Sequence, residues 1–147
     1  QTVRAEDTNP HEMVRTVDTS PLDLLSGVAK CSEQPKMLPG MMTLPEQEFL
    51  KSFMKVNSRY LEWGSGGSTD TFGRLTTGKI VSVENYKPWC DKVTNIPFVK
   101  CREKSKSIEY KCIIPHPTGG AGYPIDKKYY GAFGEYIDVV KHFFHVN

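Results

Sequence analysis

The sequence predicts an α/β fold built on a parallel sheet, because helix and strand patterns alternate along the chain from residue 43 onward. Two observations support this prediction. A glycine-rich stretch, GSGG at 64–67, stands between a short strand pattern and a helix pattern. The clearest strand pattern, KIVSVEN at 79–85, is short and β-branched and has an acidic residue at its end. Strands separated by helices pair in parallel through right-handed crossovers.

Composition and charge are those of one globular domain. The chain has 147 residues, of which 38% are hydrophobic and 11% aromatic. Nineteen Lys and Arg stand against seventeen Asp and Glu, and the basic residues are dispersed along the chain. This balance argues against a nucleic-acid partner. No apolar run approaches the ~20 residues that cross a bilayer, so we expect no membrane insertion.

The four cysteines, at 31, 90, 101 and 112, leave the redox state open. Their spacing matches no zinc template, and we predict no metal site. An even number permits two disulfides in an oxidising compartment, while buried or free thiols fit the sequence equally well. The sequence therefore does not fix the localisation: paired cysteines would indicate a secreted or lumenal protein.

Residues 1–42 are predicted to form an extended N-terminal arm, because they show little apolar periodicity and contain several Pro, Thr, Asp and Ser. Within the arm, TSPLDLLSGVAK at 19–30 predicts one short helix, with Ser20 as its cap and Pro21 at the first helical position. The turn KMLPGMM at 36–42 carries three methionines, which we interpret as core filling rather than as a ligand site.

The α/β domain is predicted to span residues 43–147 and to begin with the helix TLPEQEFLKSFMK. Thr43 and Glu46 have the spacing of a capping box. An apolar stripe at helical spacing predicts that this helix packs on the sheet; it comprises Phe49, Leu50, Phe53 and Met54.

The remaining elements follow in order. RYLEW at 59–63 is the first predicted strand, and STDTFGRL at 68–75 opens a helix. KPWCDKV at 87–93 predicts a second helix, with Pro88 in its first turn. PFVKCRE at 97–103 is predicted as the third strand, and SIEYKCII at 107–114 as a further extended segment.

The C-terminal part is predicted to be a loop followed by a helix. PHPTGGAGYP at 115–124 is rich in turn residues. The closing stretch, YGAFGEYIDVVKHFFHV at 130–146, predicts an amphipathic helix. The side chains expected on its apolar stripe are Phe133, Ile137, Val140 and Phe144.

The candidate site lies where the predicted strands end. In parallel α/β sheets, ligands bind outside the C-terminal ends of the strands, and the glycines of 64–67 fall there. Glu84 ends the next strand, where dinucleotide-type folds place a carboxylate on the ribose hydroxyls. Thr69 occupies the last glycine position of a GxGxxG motif, and Glu62 precedes Gly64 by two residues. A ligand with a positive centre is therefore favoured over a pyrophosphate.

The stretches YLEWGSGGST and IVSVENYKPWCDKV resemble the first two motifs of class I S-adenosylmethionine-dependent methyltransferases. More narrowly, they resemble a group of methyltransferase-like proteins with an LEWGSGGST loop. The resemblance covers roughly residues 43–140 and implies a Rossmann-like fold. The implied cofactor is S-adenosylmethionine, with S-adenosylhomocysteine as product. Ser68 departs from the pattern, which has its last glycine there.

The resemblance also implies a role for each candidate residue. Glu84 would bind the ribose hydroxyls, and Asn85 or Tyr86 would lie beside the adenine. The methionine moiety would be surrounded by Glu62, Gly64, Ser65, Gly66 and Gly67. No catalytic residue is assigned by these motifs.

The family's sheet has seven strands in the order 3-2-1-4-5-7-6, and this chain supplies an incomplete set, 3-2-1 with flanking helices, before Asn147. The strand at 59–63 would then have an open edge. Three solutions are open: the chain is a fragment, a protein partner or second copy covers the edge, or the final segments fold back onto it. The expected function is methyl transfer to an unknown acceptor. The alternatives are a catalytically inactive structural or assembly subunit of a larger complex, and a secreted binding domain.

Overall fold

The computed structural model of the chain describes residues 21–145. The predicted Ser20 cap and residues 1–20 lie outside this range, as do residues 146–147. Six α-helices are found in the described part: α1 Pro21–Cys31, α2 Leu44–Phe53, α3 Gly67–Phe72, α4 Lys87–Thr94, α5 Pro97–Lys104 and α6 Gly134–His145. The strands are β1 Tyr60–Trp63, β2 Ile80–Glu84 and β3 Ile108–Cys112.

The three strands form one parallel sheet in the order β1-β2-β3, which confirms the predicted parallel α/β arrangement. Tyr60 is paired with Ile80, and Ile80 with Ile108, so the strands run side by side. All five residues of β2 are buried, because the strand is central and both of its faces are covered. Within residues 21–145, β1 pairs with β2 alone, so its other edge stays open.

Helices cover the sheet on two faces with separate cores. One core contains buried side chains of α1, α4, α5, β2 and β3; its members are Cys31, Leu38, Ile80, Val93, Ile96, Phe98, Val99 and Ile108. The other lies between β2 and α6 and contains Val81, Val83 and Val139. Alternate residues of β2 point to opposite faces, so one strand contributes to both cores.

The segment PFVKCRE is a helix, α5, so its prediction as a strand is wrong. Phe98, Val99 and Arg102 are its buried residues, at the i, i+1, i+4 spacing of one helical face. Pro97 stands in the first turn, where its missing N–H costs nothing. The third strand is β3, which the sequence indicated only as a further extended segment. Strand propensity was overridden here by packing against α1 and β3.

Helix α6 is confirmed, but its predicted apolar stripe is buried only in part, at Phe133. Ile137 is 59% exposed and Phe144 is 69% exposed, whereas Val139 is 3% exposed. Tyr136 and Phe143 pack around Val139 against the β2 face. The helix carries two overlapping apolar stripes, and the one that faces the sheet is chosen by the valines of β2.

Helix α2 begins as predicted, but it does not pack on the sheet. The backbone N–H of Thr43 donates to the Glu46 carboxylate at 2.7 Å, as expected for a capping box. None of the residues of α2 is buried, and Phe49 and Phe53 are 64% and 65% exposed. The periodicity correctly indicated an apolar face, but the described residues leave that face uncovered.

All four cysteines are paired. Cys31 is bonded to Cys101 and joins α1 to α5, with 5.4 Å between the Cα atoms. Cys90 is bonded to Cys112 and joins α4 to the end of β3, with 6.0 Å between the Cα atoms. This pairing is compatible with a secreted or lumenal protein. Across the described residues, no helix is both long enough and apolar enough to span a bilayer.

Candidate functional site

A cleft of about 1030 Å³ lies at the C-terminal ends of β1 and β2. Six of the eight predicted binding residues line it: Gly64, Ser65, Gly67, Glu84, Asn85 and Tyr86. The cleft is at the upper end of the range of small-molecule sites, about 300–1,000 Å³. The structure therefore brings most of the predicted set to one place.

The glycine loop adopts backbone conformations that favour glycine. Gly64 has a φ of 80° and Gly66 a φ of 146°. A Cβ on Gly66 would lie 2.9 Å from the indole nitrogen of Trp89, which donates to the Ser65 carbonyl at 2.6 Å. Trp89, in the first turn of α4, thus holds the glycine loop in place.

Glu84 ties the glycine loop to the end of β2. One carboxylate oxygen accepts from the backbone N–H groups of Asn85 and Tyr86, both at 2.9 Å. The other accepts from the backbone N–H of Ser65 at 3.0 Å and from its hydroxyl at 3.2 Å. The side chain lines the cleft although the residue is 4% exposed. Three of the four donors are backbone groups, so the Ser65 hydroxyl is the replaceable one.

Tyr110 extends this arrangement to β3 and was missed in the sequence. Its hydroxyl forms a short hydrogen bond with the Ser65 hydroxyl. Burial raises the pKa of Tyr110, so its phenol stays protonated at neutral pH. The sequence signal that could have indicated it is a tyrosine in a strand next to β2. Glu84, Ser65 and Tyr110 therefore form one hydrogen-bonded chain across the strand ends.

Glu62 lies outside the cleft lining, although the sequence placed it beside the ligand. Its carboxylate accepts hydrogen bonds from the hydroxyls of Tyr60 at 2.8 Å and Ser82 at 2.6 Å, and from Thr69. The Thr69 oxygen also accepts from the backbone N–H of Gly66 at 2.9 Å. Glu62 thus supports the start of α3 and, through Thr69, the loop. Gly66 likewise is not among the lining residues.

Replacing Glu62 by glutamine is expected to flatten the dependence of stability on pH. Burial raises the pKa of Glu62 despite the hydrogen bonds from Ser82 and Thr69. The folded state holds this proton more tightly than the unfolded chain does. The stabilisation it provides is therefore present at low pH and is lost as pH rises from 4.5, the ordinary value, through the folded pKa. Glutamine does not titrate. Urea unfolding across this pH window should therefore show a smaller loss of stability in Glu62→Gln than in the wild-type protein.

The matched control is Glu109→Gln, because the pKa of Glu109 is shifted the other way. A hydrogen bond from Lys111 lowers it. The stability that Glu109 contributes is present above its ordinary pKa and is lost as pH falls through the folded value. Glu109→Gln should therefore reduce the loss of stability that the wild-type protein shows as pH falls below 4.5. A Glu62→Gln variant with the wild-type slope above pH 4.5 would contradict the assigned burial effect.

Asn85 holds the loop at 115–124 beside the cleft. Its side-chain amide donates to the Gly122 carbonyl at 2.9 Å. The backbone carbonyl of Asn85 accepts from the Thr118 hydroxyl at 3.1 Å. Gly122 has a φ of 75°, and a Cβ there would lie 2.2 Å from the Asn85 amide oxygen. The Asn85 amide is therefore engaged by the loop, while the residue still lines the cleft.

The methionine turn lines the cleft, so its interpretation as core filling is wrong. Met41 is 95% exposed, and both Met41 and Met42 border the cleft. The turn reaches this position because Gly67 lets the chain approach: a Cβ on Gly67 would lie 2.0 Å from the Pro39 carbonyl oxygen. Other lining residues come from the C-terminal part: Tyr123, Pro124, Tyr130, Phe133, Tyr136 and Ile137.

The fold of this chain is similar to that of a solved structure. A crystal structure of a methyltransferase-like protein from Silicibacter pomeroyi DSS-3 aligns with a TM-score of 0.51. The chain has a methyltransferase-like fold. The alignment covers 69% of this chain and 53% of the other, at 23% identity, so the chain spans about half of that protein. No protein-family model and no curated protein matches the chain.

The fold similarity supports a partial Rossmann-like arrangement of three strands and flanking helices. At 23% identity it carries no residue roles. Among the described residues, no group of three or more His, Cys, Asp or Glu is placed to hold a metal ion.

Proposed function

We propose that this chain is an S-adenosylmethionine-binding, methyltransferase-like domain that transfers a methyl group to an unidentified acceptor. The observation that supports it most is the placement of Glu84 and the glycine loop on one side of a cleft at adjacent strand ends. This is where parallel α/β folds bind nucleoside-bearing ligands. The methyltransferase-like fold supports the same proposal.

The residues present fit this cofactor. Glu84 would accept hydrogen bonds from the ribose hydroxyls, with a ribose hydroxyl replacing the Ser65 hydroxyl as donor. Tyr86 and Asn85 would border the adenine, and residues 64–67 the methionine moiety. Glu62 would act indirectly, by supporting the loop through Thr69. When bound, S-adenosylmethionine supplies a methyl group on a positively charged sulfur.

The contribution of this chain would be positioning rather than proton transfer. Among the described cleft residues there is no Lys, Arg, His or Asp. Burial raises the pKa of Tyr136 to about 12, so its phenol keeps its proton at neutral pH. A phenol in this state donates a hydrogen bond and does not act as a base.

Calorimetric titration with S-adenosylhomocysteine tests the proposal. Wild-type protein should bind, and Glu84→Gln should weaken binding at least about tenfold, since a hydrogen bond to a charged acceptor is lost. Ser65→Ala, which leaves the Glu84 charge in place, should retain binding. The matched control is Glu109→Gln, which removes a carboxylate outside the cleft and should leave the affinity unchanged.

Circular dichroism on each variant separates lost binding from lost folding. Folded wild-type protein that binds neither S-adenosylhomocysteine nor S-adenosylmethionine at millimolar concentration would contradict the proposal. That outcome would favour the alternative of a catalytically inactive subunit.

A further inference from the structure

Part of the cleft lining is apolar and exposed. Five side chains from three segments form this surface, which we name the apolar wall: Met41, Met42, Tyr123, Tyr130 and Ile137. Met41 is 95% exposed, Tyr123 72% and Tyr130 61%. Large apolar side chains that border a cleft instead of packing in a core mark a binding surface.

No cationic side chain lines the cleft beside the wall, among the described residues. Among the described residues that line the cleft, Glu84 alone has a charged side chain. It is 4% exposed, and its carboxylate already accepts four hydrogen bonds. An anionic ligand on the wall would lose its hydration without gaining a cationic partner. A cationic ligand would be repelled by the positive sulfur of the proposed cofactor.

The polar groups of the apolar wall are uncharged tyrosine hydroxyls. The hydroxyls of Tyr123 and Tyr130 make no hydrogen bond within the described residues, and both side chains are exposed, so each hydroxyl can donate to or accept from a ligand. Their rings favour offset or edge-on contacts with another ring. Met41 and Met42 can adapt to irregular apolar shapes.

The cleft also has room for two ligands. Its volume of about 1030 Å³ exceeds the space that one small molecule needs, and the polar loop and the apolar wall are formed by different segments. The cofactor would occupy the side of the glycine loop and Glu84. The apolar wall would then hold the second ligand.

We infer that the apolar wall binds the methyl acceptor and that this acceptor is a neutral, ring-bearing small molecule with a hydroxyl group. The inference rests on the proposed function, since a ligand on the wall is an acceptor only if the cofactor binds beside it.

Three probes that share one ring system and differ in charge test this inference. They are 2-naphthol, which is neutral at pH 7, 2-naphthoate and 2-naphthylmethylammonium. Binding is measured by ligand-observed NMR and calorimetry on the full chain, first alone, then with S-adenosylhomocysteine, whose sulfur is neutral, and then with S-adenosylmethionine, whose sulfur is positive. We expect 2-naphthol to bind at least about tenfold more tightly than 2-naphthoate, because the carboxylate finds no cationic partner in the cleft. With S-adenosylmethionine bound, 2-naphthol should also bind at least about tenfold more tightly than 2-naphthylmethylammonium, because the positive sulfur repels the ammonium.

Two variants of α6 locate the binding. Ile137→Lys places a cation on the wall and should weaken 2-naphthol at least about tenfold while strengthening 2-naphthoate. Phe144→Lys is the matched control: Phe144 is as exposed and lies on the same helix, but it does not line the cleft. It should leave the affinities for all three probes unchanged.

The outcomes separate the inference from the proposed function. If S-adenosylhomocysteine binds but 2-naphthol binds no better than 2-naphthoate, the inference is overturned and the proposed function stands. If folded protein binds neither S-adenosylhomocysteine nor S-adenosylmethionine, both are overturned. If sedimentation shows that the chain self-associates and that Ile137→Lys abolishes this, the wall is a protein interface and the inference is overturned.

Discussion

Replacing Asp70 by alanine is expected to destabilise the folded protein by about 3–5 kcal/mol, the range for removing one partner of a buried ion pair. Asp70 is fully buried, and the Arg74 side chain is 14% exposed. One carboxylate oxygen accepts from the Arg74 guanidinium, and the other from the backbone N–H groups of Met37 and Leu38 at 2.8 and 3.1 Å. Alanine would leave these donors without an acceptor.

Arg74 is expected to add to the loss of stability, because its guanidinium binds the chain segment that follows α1. Its guanidinium donates to the carbonyls of Ser32 at 2.9 Å, Gln34 at 2.6 Å and Pro35 at 3.1 Å. The pair with Asp70 therefore fixes residues 32–38, which lead directly into the methionine turn of the cleft. We expect Asp70→Ala to disturb the apolar wall as well as the stability.

Asp91→Ala is the matched control, since Asp91 pairs with Lys87 at the same four-residue spacing on a helix. Both of those side chains are about 60% exposed, and an exposed pair contributes about 0.2–1 kcal/mol. Urea unfolding of the two variants measures the difference directly. Equal losses of stability would show that burial of the Asp70 pair has no energetic consequence.

Removing the Cys31–Cys101 disulfide is expected to cost about 4 kcal/mol, and removing Cys90–Cys112 about 3 kcal/mol, because the longer loop loses more chain entropy when it is closed. The two bridges span 70 and 22 residues. Each loss is a large part of the 5–15 kcal/mol that stabilises an ordinary domain. The variants are the two double replacements by alanine.

Urea unfolding in the absence of reductant gives both values, and reduced wild-type protein should resemble a variant that lacks both bridges. A greater loss in Cys90→Ala/Cys112→Ala than in Cys31→Ala/Cys101→Ala would contradict the chain-entropy account. A free-thiol assay on denatured wild-type protein should find no free thiol among the four cysteines.

Features that depend on a few neighbouring residues could be predicted from the sequence. The capping box of Thr43 and Glu46 starts α2, and the positive φ of Gly64 explains the glycine at the strand end. The segment at 80–84 forms a strand, as its β-branched residues predicted. Glu84 and the loop were correctly expected to lie together, because parallel strands end at one edge of the sheet.

Features that depend on distant contacts could not be predicted. The segment at 97–103 becomes a helix because its face packs against α1 and β3, and the bonded cysteines of α1 and α5 are 70 residues apart. The buried face of α6 is selected by Val81 and Val83, more than fifty residues earlier in the chain. Local propensity is too weak to decide such cases against tertiary packing.

The candidate site divides in the same way. By itself the sequence determined the glycine loop and the acidic strand end, since backbone conformation and strand direction follow from local residue types. Only the tertiary structure placed Glu62 beneath the loop in a network of hydroxyls and carried the methionine turn to the cleft through contact with Gly67. Those positions depend on tertiary contacts between residues that are distant in the sequence, and local sequence patterns do not predict such contacts.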